Sequence, residues 1–181
     1  VLLDVPIYNQ KSLGLLSGCE IVSLFMIVNY QENTDIESLL DKMPYSSDPR
    51  QGFRGDPFLN NGFTVFPEAL IGILNEFVSG TAVDMTGSDL PNLKQQLDNG
   101  SPVAVWVNGL GWNVHCLVLT GYDSDGFYYN DPWTEIKDTF ITYETFYDIW
   151  NSPIYDRIYH IYYEPRKALS YNNSEIIHLH T

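Results

Sequence analysis

Three residues of this sequence, Cys19, His115 and Asp131, are of types that could form a nucleophilic centre. Cys19 stands where a polar, glycine-bearing loop enters a strongly apolar run. The thiolate is the nucleophilic form of cysteine, and the start of a helix favours negative charge. Cys19 could therefore attack a carbonyl carbon, although a free cysteine is more often an inert core residue.

His115 lies in an apolar segment, and Asp131 follows the next apolar segment, directly before Pro132. An imidazole can take the proton of a thiol, and a carboxylate can fix the tautomer of that imidazole. Considered alone, His115 would be a structural histidine and Asp131 a turn residue. Together with Cys19 they have the residue types of a catalytic triad.

The turn between these two segments decides whether His115 and Asp131 can meet. A three-residue loop over 123–125, with Gly126 at a left-handed bulge position, sets Asp131 opposite Leu117. His115 and Asp131 are then diagonal neighbours on one face of the hairpin. A two-residue loop would put them on opposite faces, so the triad predicts the odd-length loop.

Gln10 and Cys116 also bear on this site. The Gln10 amide could donate a hydrogen bond to an oxyanion beside Cys19, or it could be a solvated loop residue. Two cysteines are too few for a disulfide framework. Strand alternation sends Cys116 to the face opposite His115, so we expect a core residue that is poorly placed to bridge to Cys19.

The elements around these residues form a helical first half and a strand-rich second half, which is the α+β layout. A buried central helix is predicted over 20–30, because this run is apolar on every side. The other predicted helices are 36–43 after a Thr34–Glu37 capping box, 67–77, 89–98 capped by Ser88, and 142–150. Strands are predicted at 2–8, 103–107, 114–120, 127–130 and 157–163, with loops at 45–66 and 108–113. We expect one domain over 1–165 and a polar tail over 166–181.

The charge balance narrows the classes of partner. The 181 residues carry a formal net charge of −14, which argues against binding to nucleic acid or anionic lipid. Solubility is the simplest explanation, and a preference for basic peptides or a cationic cell wall is a weaker one. No apolar run reaches the roughly 20 residues of a membrane span, and we expect no cofactor. An opening at Val1 rather than Met indicates a processed or trimmed chain.

Four ordered blocks of the sequence resemble the C39-like peptidase family. Segments 3–10 (LDVPIYNQ) and 18–24 (GCEIVSL) are similar to its nucleophile region, 114–123 (VHCLVLTGYD) to its histidine block, and 129–133 (YNDPW) to its aspartate block. Segment 48–57 (DPRQGFRGDP) also resembles a loop of its stand-alone bacterial members. The resemblance runs from about residue 3 to residue 163.

This resemblance implies a papain-like fold, a triad of Cys19, His115 and Asp131, and Gln10 as an oxyanion-hole donor. It implies a peptide or protein substrate, and secreted or surface-anchored proteins, chiefly of Gram-positive bacteria. Better-studied C39 domains are fused to export transporters and cleave leader peptides after Gly-Gly. This sequence has Glu20 where those domains carry Gly, and no transporter segment follows.

Several alternatives stay open at this stage. A cell-wall peptide hydrolase of NlpC/P60 type would use the same nucleophile on peptidoglycan stem peptides. A peptide-binding module that has lost turnover would leave Cys19 unreactive. Zinc held by Cys19, His115 and Asp131 is a third idea, without a close-spaced ligand pair to support it. A substrate cleft could be lined by Phe53, Trp112 and Trp133. These residues could equally be ordinary core or rim aromatics. The oligomeric state is open.

Overall fold

The computed structural model describes residues 1–174, which form helices, a six-stranded sheet and a two-stranded sheet. The helices are α1 (Cys19–Gln31), α2 (Ile36–Lys42), α3 (Pro67–Phe77), α4 (Leu90–Asp98) and α5 (Tyr143–Trp150). The strands are β1 (Gly80–Asp84), β2 (Val103–Gly109), β3 (Trp112–Tyr122), β4 (Gly126–Asn130), β5 (Thr139–Thr142), β6 (Ile154–Asp156), β7 (Ile161–Tyr163) and β8 (Ala168–Asn173).

Helix α1 is the central buried helix that the apolar run predicts. Every residue from Cys19 to Val28 is buried, because a helix that is apolar all round can only be stable inside a protein. Its packing partners are β2, β3, α2 and α3. No helix within residues 1–174 combines the length and the apolar character needed to cross a membrane.

The main sheet is antiparallel and six-stranded, in the order β1-β8-β2-β3-β4-β5. One hydrophobic cluster joins α1 and α3 to one part of the sheet, including Trp106, Cys116 and Val118. A second cluster joins α4 and α5 to residues that alternate with these, including Val107 and Leu117. The predicted α+β, papain-like layout is confirmed.

Strands β2 and β3 are longer than predicted. The segment 108–113, expected to be a loop, is mostly strand and turns only at Leu110 and Gly111, whose φ angles are 56° and 89°. Two successive residues with positive φ give a tight turn whose twist matches the strands it joins. The turn extends β3 to Trp112 and so brings that ring onto the strand that carries His115.

The tail predicted from residue 166 onward is wrong for residues 168–173, which form β8 in the interior of the sheet. Ala168 and Leu169 pair with Val105 and Ala104. The polar Ser170 is fully buried because its hydroxyl donates to the Pro102 carbonyl oxygen, 2.7 Å away. Satisfied polar groups of this kind hide a central strand from a hydropathy pattern. The rest of the predicted tail, 175–181, lies outside the described residues.

Several smaller predictions are also corrected. Segment 2–8 is not a strand and makes only one bridge, Leu2 to Gly121. Segment 157–163 contains the turn of a β6–β7 hairpin rather than one strand. Helices α2 and α4 are capped by Asp35 and Asp89, whose carboxylates accept from Ser38 and Asn92 N–H. Each aspartate lies one residue after the predicted cap, and carboxylates cap helices as well as hydroxyls do.

Candidate active site

His115 and Asp131 are in direct contact. His115 Nε2 lies 2.7 Å from Asp131 Oδ1, and the two residues are 1% and 7% exposed. A neutral imidazole donates from one ring nitrogen and accepts at the other. If Nε2 donates to the carboxylate, Nδ1 carries the lone pair. The buried pair therefore has the arrangement of an oriented general base.

The strand register that brings this pair together differs from the predicted one. The stretch 123–125 separates β3 from β4, as predicted, but Tyr122 pairs with Phe127 rather than with Gly126. A register shift between Leu119 and Gly121 adds one residue to β3. Below that bulge Val118 pairs with Asn130, and the next step sets Asp131 opposite Leu117. The predicted pairing of Tyr122 with Gly126 is wrong, and so is the left-handed conformation predicted for Gly126. The bulge in β3 restores the shared face.

Two tryptophans cover the His115–Asp131 pair. The Trp112 ring stacks on the His115 ring, with centroids 5.2 Å apart and planes 16° apart. Trp133 packs its edge against Trp112, with centroids 4.9 Å apart, and its backbone N–H donates to Asp131 Oδ1 at 2.8 Å. Both tryptophans are partly exposed. They lie at the edge of the site, where the sequence predicts cleft walls, and they limit the access of water to the imidazole.

Cys19 is the first residue of α1 and is 7% exposed. Helix α1 packs on β3, the strand that carries His115. The first intrahelical donor is Val22, which donates to the Gly18 carbonyl at 2.9 Å. The amide groups before Val22 therefore lack intrahelical acceptors at this end of α1. The nucleophile candidate lies beside β3 at a helix terminus that suits negative charge.

Glu20 is the neighbour to which the Cys19 thiol donates, with Sγ 3.1 Å from Oε2. The other carboxylate oxygen, Oε1, accepts from the buried hydroxyl of Thr64. Within residues 1–174 no hydrogen bond joins Cys19 to His115. The thiol is therefore directed to Glu20 in this structure.

The ionisation of this pair follows from burial. Burial raises the pKa of the Cys19 thiol well above its ordinary value, and the neighbouring Glu20 charge raises it further. Burial also raises the pKa of Glu20, while hydrogen bonds from Thr64 and Cys19 partly offset that shift. The site at rest therefore favours a neutral thiol. Sequence reasoning missed Glu20 as a site residue, although a lone charge in a fully apolar helix was a usable signal.

Gln10 is buried, with 2% of its surface exposed, so it is not a solvated loop residue. Its backbone N–H donates to the Pro132 carbonyl at 2.7 Å, which ties the nucleophile loop to the aspartate loop. Its side-chain nitrogen Nε2 donates to the carbonyls of Leu15 and Leu16, at 3.2 and 3.1 Å. Its Oε1 is buried without a partner among the described residues. Both amide hydrogens are thus engaged within the loop.

Phe53 does not wall a cleft, because its ring is 1% exposed and belongs to the core. Cys116 is fully buried as expected, yet it belongs to the same cluster as Cys19, and both thiols are free. Across residues 1–174 no group of three or more His, Cys, Asp and Glu side chains is placed to hold a metal ion. The three triad residues therefore do not form such a group.

This chain is similar to known proteins in sequence and in fold. A family profile described as the Peptidase_C39 like family matches residues 2–155. A protein of Bacillus subtilis (strain 168), called uncharacterized protein YvpB, is 30% identical over 163 residues, with 72% of this chain and 64% of YvpB covered. A crystal structure of a candidate C39-like peptidase from Bacillus anthracis superposes with a TM-score of 0.78. That match is 25% identical in sequence and covers 94% of this chain and 96% of the other. The chain thus spans slightly less than two thirds of YvpB.

Proposed function

Since this chain belongs to the Peptidase_C39 like family, we propose that it is a cysteine peptidase that hydrolyses a peptide bond with Cys19 as nucleophile. The observation that carries the proposal is the buried His115–Asp131 contact of 2.7 Å, on the strand against which α1 packs. A general base must be oriented before it can act on a nucleophile, and this contact supplies the orientation.

The first chemical step begins with the Cys19 thiol turning from Glu20 toward His115. His115 Nδ1 takes the proton as Sγ bonds to the substrate carbonyl carbon, and the carbonyl π electrons move to oxygen. The Cys19 backbone N–H, at the open end of α1, stabilises that oxyanion. Gln10 joins it as the second donor once its amide releases a loop carbonyl. Asp131 holds the imidazolium in place without taking its proton.

The second half of the cycle returns the enzyme to its starting state. The tetrahedral intermediate collapses, the carbon–nitrogen bond breaks, and His115 gives its proton to the leaving amine. His115 then takes a proton from water as the water oxygen attacks the thioester carbon. The carbon–sulfur bond breaks, the acid product leaves, and Cys19 regains its proton.

A thiol-reactive probe tests this proposal. The intact protein, Cys19→Ala and His115→Ala are labelled across pH, and the labelled residue is identified by mass spectrometry. We expect labelling at Cys19 that slows when His115 is removed, together with cleavage of at least one member of a peptide library. Labelling that is indifferent to His115 would refute the triad and favour the peptide-binding alternative.

The location of the protein is part of the same proposal. We propose that it acts outside the cytoplasm, as the family resemblance implies, and fractionation of the source cells with an antibody against this chain tests it. Recovery of the protein only from the cytoplasmic fraction would contradict export.

A further inference from the structure

A groove of about 480 Å³ opens beside Trp112, the ring that stacks on His115. We call it the Arg157 groove and define it by Arg54, Phe63, Trp112, Asn113, Tyr155 and Arg157. Its walls are aromatic and amide side chains, and its charged groups are two guanidinium groups. Among the described residues, no Asp or Glu lines it.

This absence of carboxylates stands out because the whole chain contains 23 Asp and Glu residues but only 9 Lys and Arg. Two of those nine cations lie in this one groove. Arg157 is exposed, and among residues 1–174 it has no ion-pair partner within 4.0 Å. A cation that faces a groove without a counter-charge is available to a carboxylate of a ligand.

The turn that carries Arg157 is held rigidly by its neighbour Asp156. The Asp156 carboxylate is fully buried and accepts from Ile158 N–H at 2.9 Å and Tyr159 N–H at 3.2 Å. It also forms a two-pronged ion pair with Arg54, with N–O distances of 2.7 and 2.9 Å. The turn is thus ordered before any ligand arrives, which reduces the entropy lost on binding.

Arg54 also lines the groove, but its charge is paired and not free. Its guanidinium lies over the Phe63 ring, 4.2 Å from the centroid, and its side chain is 13% exposed. Its charge is matched by Asp156, so within residues 1–174 Arg157 is the cation of this groove that has no ion-pair partner. The groove therefore combines a flat, partly apolar wall with one accessible guanidinium.

We propose that the Arg157 groove is a substrate subsite that selects a peptide carboxylate, carried on a Glu or Asp side chain near the cleaved bond. This inference rests on the proposed peptidase function, since Trp112 connects the groove to His115. It also assigns to the site the opposite charge preference from the one suggested by the net charge of −14. The average charge of a protein does not fix the potential inside one groove.

The test compares kcat/KM for peptides that differ only in Glu, Gln or Lys at each position around the cleaved bond. Each peptide is made with a free and an amidated C-terminus. We expect Glu to exceed Gln about fivefold at one position, which is the size of a partly exposed ion pair. Arg157→Gln should abolish the preference, and Arg157→Glu should reverse it toward Lys. Lys94→Gln changes the net charge by as much as Arg157→Gln does. Because Lys94 lies on α4, over the Tyr143 ring, its replacement should leave the preference intact.

The outcomes separate the two proposals. Cleavage with equal rates for Glu and Gln overturns the subsite and leaves the peptidase in place. A preference that follows the free C-terminus alone overturns the side-chain assignment. If no peptide is cleaved, calorimetric titration of the Glu and Gln peptides into Cys19→Ala decides. Tighter binding of the Glu peptide that Arg157→Gln abolishes supports the subsite even if the peptidase proposal fails, and equal binding overturns it.

Discussion

The Cys19 thiol donates to the carboxylate of its own neighbour, with Cys19 Sγ 3.1 Å from Glu20 Oε2. This contact competes with the approach of the thiol to His115. It also places a buried acidic group beside an atom that must become negative. The pair therefore sets the reactivity of the resting site.

Replacement of Glu20 by Gln should make Cys19 more reactive. Burial and then the Glu20 charge raise the pKa of the Cys19 thiol, so removal of that charge lowers the pKa and moves the rate profile to lower pH. We expect alkylation at neutral pH to become roughly tenfold faster for each unit by which the Cys19 pKa falls. Quenched time-course labelling followed by mass spectrometry measures the rate.

Thr64→Val tests the same effect of Glu20 without changing Glu20 itself. The Thr64 hydroxyl lowers the pKa of Glu20, so its loss should leave more of that carboxyl protonated and accelerate labelling in the same direction, by less. An unchanged labelling profile in Glu20→Gln would show that Glu20 acts only in packing.

Asp131→Asn should lower kcat by a factor of roughly 10² or more while the thermal unfolding midpoint changes little. Asp131 Oδ1 accepts from both His115 Nε2 and Trp133 N–H, so an amide oxygen at that position can keep both hydrogen bonds and the shape of the loop. The amide carries no negative charge, however, to stabilise the imidazolium that forms when His115 takes the thiol proton. Wild-type turnover in this variant would remove Asp131 from the mechanism.

Gln10→Ala distinguishes an oxyanion donor from a loop brace. As a donor in the transition state, Gln10 should contribute roughly 10²- to 10³-fold to kcat, with Cys19 labelling unchanged. As a brace for Leu15 and Leu16 alone, its loss should lower stability and labelling together. Parallel measurement of kcat, labelling rate and unfolding midpoint separates the two.

Arg54→Ala should destabilise the fold by about 3 kcal/mol, because it leaves the fully buried Asp156 carboxylate without its cation. Hydrogen bonding to Arg54 holds the pKa of Asp156 below its ordinary value of 3.8. The stabilisation by this pair is therefore present above pH 3.8 and is lost as the pH falls toward the pKa of the folded state. Denaturant titrations of both proteins at neutral and acid pH should converge as the pH falls, and parallel curves would contradict this account.

The sequence predicted α1 from its apolar run, and it predicted the meeting of His115 with Asp131 from a hairpin register that the structure does not have. It did not predict the bulge that makes the meeting possible, because that bulge depends on distant contacts. Leu3 N–H donates to the Thr120 carbonyl at 2.7 Å, and Tyr122 N–H donates to the Val1 carbonyl at 2.9 Å. A side chain at Gly121 would collide with the Val1 carbonyl oxygen. Contacts between residues so far apart leave no periodic signal.

The hydrogen bond between Cys19 and Glu20 and the orientation of Gln10 were equally out of reach of the sequence. Residue types and order suggested a nucleophile and an oxyanion donor, but not that Glu20 accepts from the thiol or that Gln10 donates to Leu15 and Leu16. Such choices among competing partners depend on tertiary packing rather than on local propensity.

The place of β8 between β1 and β2 has a consequence for biosynthesis. On the ribosome, β8 emerges after every other described strand. The edges of β1 and β2 that pair with β8 therefore stay unpaired until translation has passed residue 173. Open edges of this kind invite aggregation and chaperone capture. The sheet that packs against α1 is completed only then, so the candidate active site cannot be finished before β8 has been synthesised.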